Sequence, residues 1–237
     1  MLEDAEVPSI QEMYADSTKV LQLPFLYALE KPWERFPLVD GRFLYYGRQP
    51  FLEVYNRVNA LDFNRSRMLF IHGALGVGKS YILAALACLL RKQKRRVVYM
   101  PDTRAMLRFP FRHMHSALLL AYADDAAATE VLRTECTSLS DLIAFAERSA
   151  ATERAYYIID QLNALDVQDP SKDRNDNEKK AEVRNFLDQL MTMHFRITSS
   201  SSNYLHGTQD FTKETGEERL SINQGLSEVN RYLHRYS

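Results

Sequence analysis

An α/β fold, in which a parallel sheet carries helices on both faces, is predicted for this 237-residue chain by three observations. Short apolar runs that suit strands alternate with longer runs that suit helices, a pattern that calls for parallel strands joined by helical crossovers. Between the first of these strands and the next helix stands Gly73-Ala74-Leu75-Gly76-Val77-Gly78-Lys79-Ser80, a complete G-x-x-x-x-G-K-S run. A later apolar run, Tyr156 to Ile159, ends on a carboxylate, Asp160.

The elements follow in order. Up to about Asn64 the chain is rich in aromatic residues and prolines, among them Pro24-Phe25, Pro32-Trp33, Phe36-Pro37 and Phe43-Leu44-Tyr45-Tyr46. Prolines at this spacing forbid a long helix and favour extended segments packed on a body. Residues 1–64 are therefore read as an N-terminal extension on the core, and residues 65–237 as the core domain with a truncated or minimal lid. Phe51 to Leu61 carries apolar residues at helical spacing. Met68 to His72 is a strand buried on both faces. Tyr81 to Leu90 is a helix apolar nearly all round, followed by cations at its negative end. Arg96 to Met100 reads as a second strand, His113 to Ala123 and Ser138 to Ala150 as helices, and Ala155 to Asp160 as a third strand. A helix over about Glu178 to Met193 precedes a fourth strand, Phe195 to Ser200. A fifth strand near Ser221-Ile222-Asn223 and a closing helix over Leu226 to Tyr236 complete the reading.

The glycine-rich run has a physical meaning. Glycines let the backbone wrap a polyphosphate and turn its N–H groups toward the oxygens, and the helix that follows aims its positive end at the same anion. Gly73, Ala74, Leu75, Gly76, Val77, Gly78, Lys79, Ser80 and Tyr81 are thus the candidate nucleotide-binding residues. Lys79 reaches the outer phosphates, and the Ser80 hydroxyl suits Mg²⁺. A glycine-rich turn without a ligand leaves the Lys-Ser pair with no structural reason. Such a core also needs an acid at the end of a neighbouring strand to orient the metal, and Asp160 stands there. The metal set is Ser80 and Asp160; the cofactors are ATP and Mg²⁺.

The spacing between loop and acid carries more. A strand and at least two helices separate them, and one further strand follows, running into Ser201-Ser202-Asn203. In this order the chain resembles the ATPase branch that includes AAA+ and STAND proteins, the ASCE strand order of P-loop NTPases. The resemblance implies that the later strand inserts between loop strand and acid strand and offers a polar sensor, here Asn203, to the terminal phosphate. An ordinary turn-forming cluster is the competing reading of Ser199 to Asn203. That branch usually places an acid directly after the metal-binding one as general base. Here the residue is Gln161, which cannot take a proton but can orient a water. Asp166 is a substitute base by sequence proximity alone. The catalytic set is Lys79, Asp160, Gln161 and Asn203, and slow hydrolysis, or binding with little hydrolysis, is expected.

Tyr45-Tyr46-Gly47-Arg48, the loop, Tyr157-Ile158-Ile159-Asp160-Gln161-Leu162-Asn163-Ala164-Leu165 and the serine run before Asn203-Tyr204 together resemble the NTPase domain of Crinkler-type effectors. The similarity covers about Phe43 to Asn203, and Asp-Gln-x-Asn is its most specific part. It implies a secreted or host-translocated protein of a filamentous eukaryotic microbe, often acting in the host nucleus. In related ATPases the segment holding Arg48 and Phe51 lies near the adenine, so Arg48 joins the cofactor-binding set; plain packing is its alternative.

Composition narrows the rest. Net charge is −1, so no global electrostatic footprint points to nucleic acid or membrane. The two cysteines, Cys88 and Cys136, lie far apart and outside any metal-knuckle spacing. The acidic N-terminus lacks an apolar segment, so no secretory signal is visible, and the longest apolar run is too short to span a bilayer, so a soluble chain is expected. Arg91-Lys92-Gln93-Lys94-Arg95-Arg96 reads as solvated cations at a helix end, with a nuclear-localisation signal or a phosphate contact as the alternative. His113 and His115, two apart on a helix, face different sides and cannot share a metal. The expected partners are a nucleoside triphosphate and either a protein or a second copy, with no membrane and no clear nucleic-acid site. Three functions remain open: a slow ATP-dependent switch, a non-catalytic nucleotide-binding module, and a small-molecule kinase.

Overall fold

The computed structural model describes residues 12–27, 36–74, 76–166, 174–200 and 217–222. The N-terminal part holds a small antiparallel sheet of β1 (Val20–Pro24), β2 (Leu38–Val39) and β3 (Arg42–Tyr46) in the order β1-β3-β2. Along β3 the burial alternates, with Phe43 and Tyr45 inward and Arg42 and Leu44 outward, as a sheet wet on one side requires. Pro50 then opens α1 (Pro50–Asn59), which buries Phe51, Val54, Tyr55 and Val58. Proline suits that position because the first helical N–H has no partner within the helix.

The main sheet contains β4 (Met68–His72), β5 (Val97–Met100), β6 (Tyr156–Ile159), β7 (Phe195–Ser199) and β8 (Glu217–Ser221). All its pairings are parallel, and its order is β5-β6-β7-β4-β8. The strand that follows the loop helix therefore lies at one edge, and β7 stands between loop strand and acid strand. This is the ASCE order of a P-loop NTPase core. Every residue of β5 is buried, which explains why the inner strands read as continuous apolar runs rather than alternating ones.

Helices cover the sheet: α2 (Lys79–Lys92), α3 (Thr103–Arg108), α4 (Pro110–Ala121), α5 (Ala126–Thr134), α6 (Leu139–Ala150) and α7 (Arg174–Leu190). The core of α2 from Ile82 to Leu90 is buried throughout, in keeping with its unbroken apolar run. Ser138 caps α6 in a capping box with Asp141. Two short helices, α3 and α5, fall where the sequence reading has none; both are capped by aspartates, Asp102 and Asp125. The fifth strand lies at 217–221, just before the expected stretch. No described helix is long and apolar enough to cross a membrane. The expected closing helix over Leu226 to Tyr236 lies outside the described residues.

Candidate functional site

The loop leaves β4 at its C-terminal end and enters α2. Gly73, Gly76 and Gly78 all take positive φ values, and Gly78 in the left-handed region serves as the N-cap of α2. Lys79 and Ser80 occupy the first two helical positions, so their N–H groups belong to the end that has no partners within the helix. Leu75 lies outside the described residues. Lys79 is buried, and its Nζ donates to the carbonyls of Gly73 at 2.7 Å and Ala74 at 2.9 Å. Burial lowers its pKa, and the nearby Asp160 carboxylate opposes that shift. The Tyr81 ring turns toward the N-terminal sheet, 4.9 Å from Phe36 and 6.0 Å from Phe43.

Asp160 follows β6 directly and is buried, with 1% of its surface exposed. Its Oδ1 accepts the Gln161 N–H at 2.9 Å and the hydroxyl of Ser199. Ser199 ends β7, so the strand inserted beside β4 holds the acid through a side-chain contact. Gln161 is left-handed, at φ +59°. Its carbonyl accepts the hydroxyl of Thr103, fully buried at the start of α3. Its side-chain Oε1 is buried with no hydrogen-bond partner in the protein. Such an orphaned acceptor suits a water or a donor from a ligand. Asp166 is held by Arg184 of α7 at 2.7 Å, which explains its burial and commits it to an ion pair.

The surroundings are cationic. His72, at the end of β4, has its pKa lowered by burial and by the charges of Arg219 and Lys79. Arg48 comes from the segment after β3, and its Nη1 donates to the Val77 carbonyl at 3.2 Å. Its guanidinium thus lies on the loop itself. The structure gathers Arg48, Val77, Gly78, Lys79, Asp160 and Gln161 at the C-terminal end of the sheet; Asn203 lies outside the described residues. Thr103 carries no motif. Ser199 opens the serine run, but nothing in that run points to Asp160; the signal for the contact was a polar residue closing an apolar strand.

A hard, oxygen-only pair such as the Ser80 hydroxyl and the Asp160 carboxylate fits Mg²⁺, which keeps most of its waters and takes few protein ligands. Among the described residues no group of three His, Cys, Asp or Glu could hold a metal unaided.

No protein-family profile matches the sequence, and no curated protein matches it significantly. Solved structures with similar shape include a DNA replication initiation factor, with 13% identity over 89% of this chain and 55% of that one, at a TM-score of 0.46. AMPPCP-bound DnaA from Aquifex aeolicus shares 16% identity over 88% of this chain and 56% of that one, at a TM-score of 0.43. PCH-2 of C. elegans shares 15% over 93% and 55%, at a TM-score of 0.42. The chain spans little more than half the length of each. At these values the fold assignment rests on the chain's own strand order.

Proposed function

We propose that this chain binds Mg·ATP at Gly73 to Ser80 and hydrolyses it slowly, acting as a conformational switch in a Crinkler-like effector. One observation carries the reading: a complete phosphate loop with a buried lysine lies in electrostatic reach of a buried acid that ends β6. A lysine ammonium and a carboxylate are costly to bury, and a site that binds phosphate and a cation gives both a use. Lys79, now on the Gly73 and Ala74 carbonyls, would exchange them for phosphate oxygens, which are stronger acceptors because they are charged. Ser80 and Asp160 would hold the metal, whose chemistry is to neutralise phosphate charge. Ser199 fixes the Asp160 carboxylate, and Thr103 fixes the Gln161 backbone. Gln161 would orient water through its amide, and no acid takes the proton.

A second reading, nucleotide binding without turnover, draws on the same residues. Gln161 is neutral, and Asp166 is engaged with Arg184, so no described carboxylate beside Asp160 is placed to act as base. Calorimetric titration with ATP, ADP and GTP, with and without Mg²⁺, tests binding. Asp160→Asn should weaken affinity in Mg²⁺ more than without it; an equal loss makes Asp160 structural. Phosphate release separates the two readings: turnover below the roughly ten per second typical of enzymes supports the switch. A rate raised by Gln161→Glu would identify the missing base as the limit.

A further inference from the structure

We infer that Arg48 is a positioning residue through which the small antiparallel sheet sets the nucleotide affinity of the loop and responds to its occupancy. This rests on the nucleotide-binding reading above and goes beyond it by assigning the site a regulator within the chain.

The inference starts from two close approaches. A Cβ on Gly47 would lie 2.0 Å from the Asp16 carbonyl oxygen, and a Cβ on Gly78 would lie 2.2 Å from Nη1 of Arg48. Two glycines, 31 positions apart, therefore permit the two ends of one contact path. At the first end the turn at 12–16 packs on the Gly47-Arg48 peptide. At the second the guanidinium lies on the backbone of the phosphate loop. The path between them is fixed by backbone bonds: Gly47 N–H to the Lys19 carbonyl at 3.1 Å, and Arg48 N–H to the Tyr14 carbonyl at 2.9 Å. Tyr14 is itself held, its ring stacked 4.8 Å from Phe51 of α1 and its carbonyl also accepting the Tyr45 hydroxyl at 3.1 Å. Arg48 consequently has little freedom to leave the loop unless this part of the N-terminal region shifts with it.

The chemistry gives the contact a direction. Arg48 now donates to a neutral carbonyl, that of Val77, while Lys79 donates to two more carbonyls of the same loop. Both cations rest on carbonyl oxygens of the loop's own backbone. By holding the Val77 carbonyl, Arg48 braces the loop in the shape that turns its N–H groups inward, and a polyphosphate that fixes this shape in turn tightens the hold on the segment carrying Tyr14, Lys19 and β3. The coupling is reciprocal by linkage: docking of the small sheet must raise nucleotide affinity by the same factor as nucleotide stabilises docking. The contact lies on the backbone of the loop, whereas the sequence resemblance puts the segment of Arg48 near the adenine.

The test uses the full chain with Arg48→Gln and Arg48→Lys, titrated with Mg·ATP and Mg·ADP and followed by amide exchange at matched saturation. Arg48→Gln should weaken both nucleotides by about 10- to 100-fold, the range for loss of one hydrogen bond to a charged group. Arg48→Lys should recover part of that loss. In the wild type, nucleotide should slow exchange at the Gly47 and Arg48 amides and across β1 and β3; in Arg48→Gln that slowing should disappear while α2 stays protected. Unchanged affinity in a folded Arg48→Gln protein overturns the proposal, as does full protection of β1 and β3 despite weakened binding. An Arg48→Lys protein no better than Arg48→Gln removes the role of charge and overturns it too. A wild type that binds no nucleotide sinks the functional reading itself, which is a different result from wild-type binding that Arg48 does not influence.

Discussion

The two ends of the main sheet are built from the same strands and differ in kind. At the C-terminal end three glycines take positive φ, a lysine rests on backbone carbonyls, and a left-handed glutamine keeps a buried oxygen without a partner. At the N-terminal end, rings and guanidinium groups close on one another in a row that follows the strand order. Arg95 lies over Tyr156, Tyr156 stacks 4.7 Å from Phe195, Phe195 meets Phe63 edge-on at 6.4 Å, and Arg154 covers Phe63 at 4.0 Å. Arg96 ties the same end to Asp124 and Glu153. One end holds a buried lysine on backbone carbonyls and a glutamine oxygen without a partner; the other closes rings and cations on one another. On the proposed reading, the loop end trades local stability for binding, and the stacked base of the sheet supplies the rigidity that lets it do so.

The comparison breaks most sharply at Lys79. Lys79→Ala should weaken nucleotide binding by orders of magnitude, because it removes the cation of a partly desolvated phosphate site, while the melting temperature moves little. A folded Lys79→Ala protein with wild-type ATP affinity in calorimetry would end the distinction between the two ends.

His194 sharpens the other side. Its Nδ1 accepts the Ala155 N–H at 3.1 Å and its Nε2 donates to the Ala146 carbonyl at 3.0 Å, which sets the neutral ring with the proton on Nε2. Burial lowers its pKa to about 4, with the nearby Arg154 adding to that shift. The unfolded chain therefore takes up this proton near pH 6.5 while the folded chain resists until about 4. The contribution is fully present above pH 6.5 and is lost as pH falls through that window, amounting to about 3 kcal/mol. Chemical denaturation at pH 7.5 and pH 5 should show about 2 kcal/mol of this loss in the wild type, the rest following below pH 5, and a smaller loss in His194→Gln. Equal acid sensitivity in both would place the proton uptake elsewhere.

Phe195→Ala should cost about 2 kcal/mol, below the range for a fully buried ring because Phe195 is only half-buried, and it should leave ATP affinity unchanged. A changed affinity would mean that the base of the sheet is coupled to the loop. Smallest is Arg154→Ala, where loss of one exposed cation–π contact is expected to cost about 0.5–1 kcal/mol in the same denaturation experiment.

Much of this architecture is local and therefore legible in the residues. The loop, its helix and the inner strands could be read because glycine spacing, helix-end chemistry and buried apolar runs act over a few residues. Asp160 was legible for the same reason, as a charge closing an apolar strand. The elements that escaped have weak local signals. Helix α3 is six residues long, and β8, Glu-Glu-Arg-Leu-Ser at a sheet edge, keeps three of its five residues only partly buried, so no apolar pattern marks it. Tertiary structure alone decided which distant groups meet: Arg48 on Val77 across 29 positions, Ser199 on Asp160 across 39, and Thr103 on Gln161 across 58. No periodicity encodes such contacts, because they depend on which strands become neighbours. The sequence by itself determined a phosphate loop on a parallel sheet, and only the packing of β7 beside β4 and of the N-terminal sheet against the loop decided which side chains hold the acid, the glutamine and the loop in place.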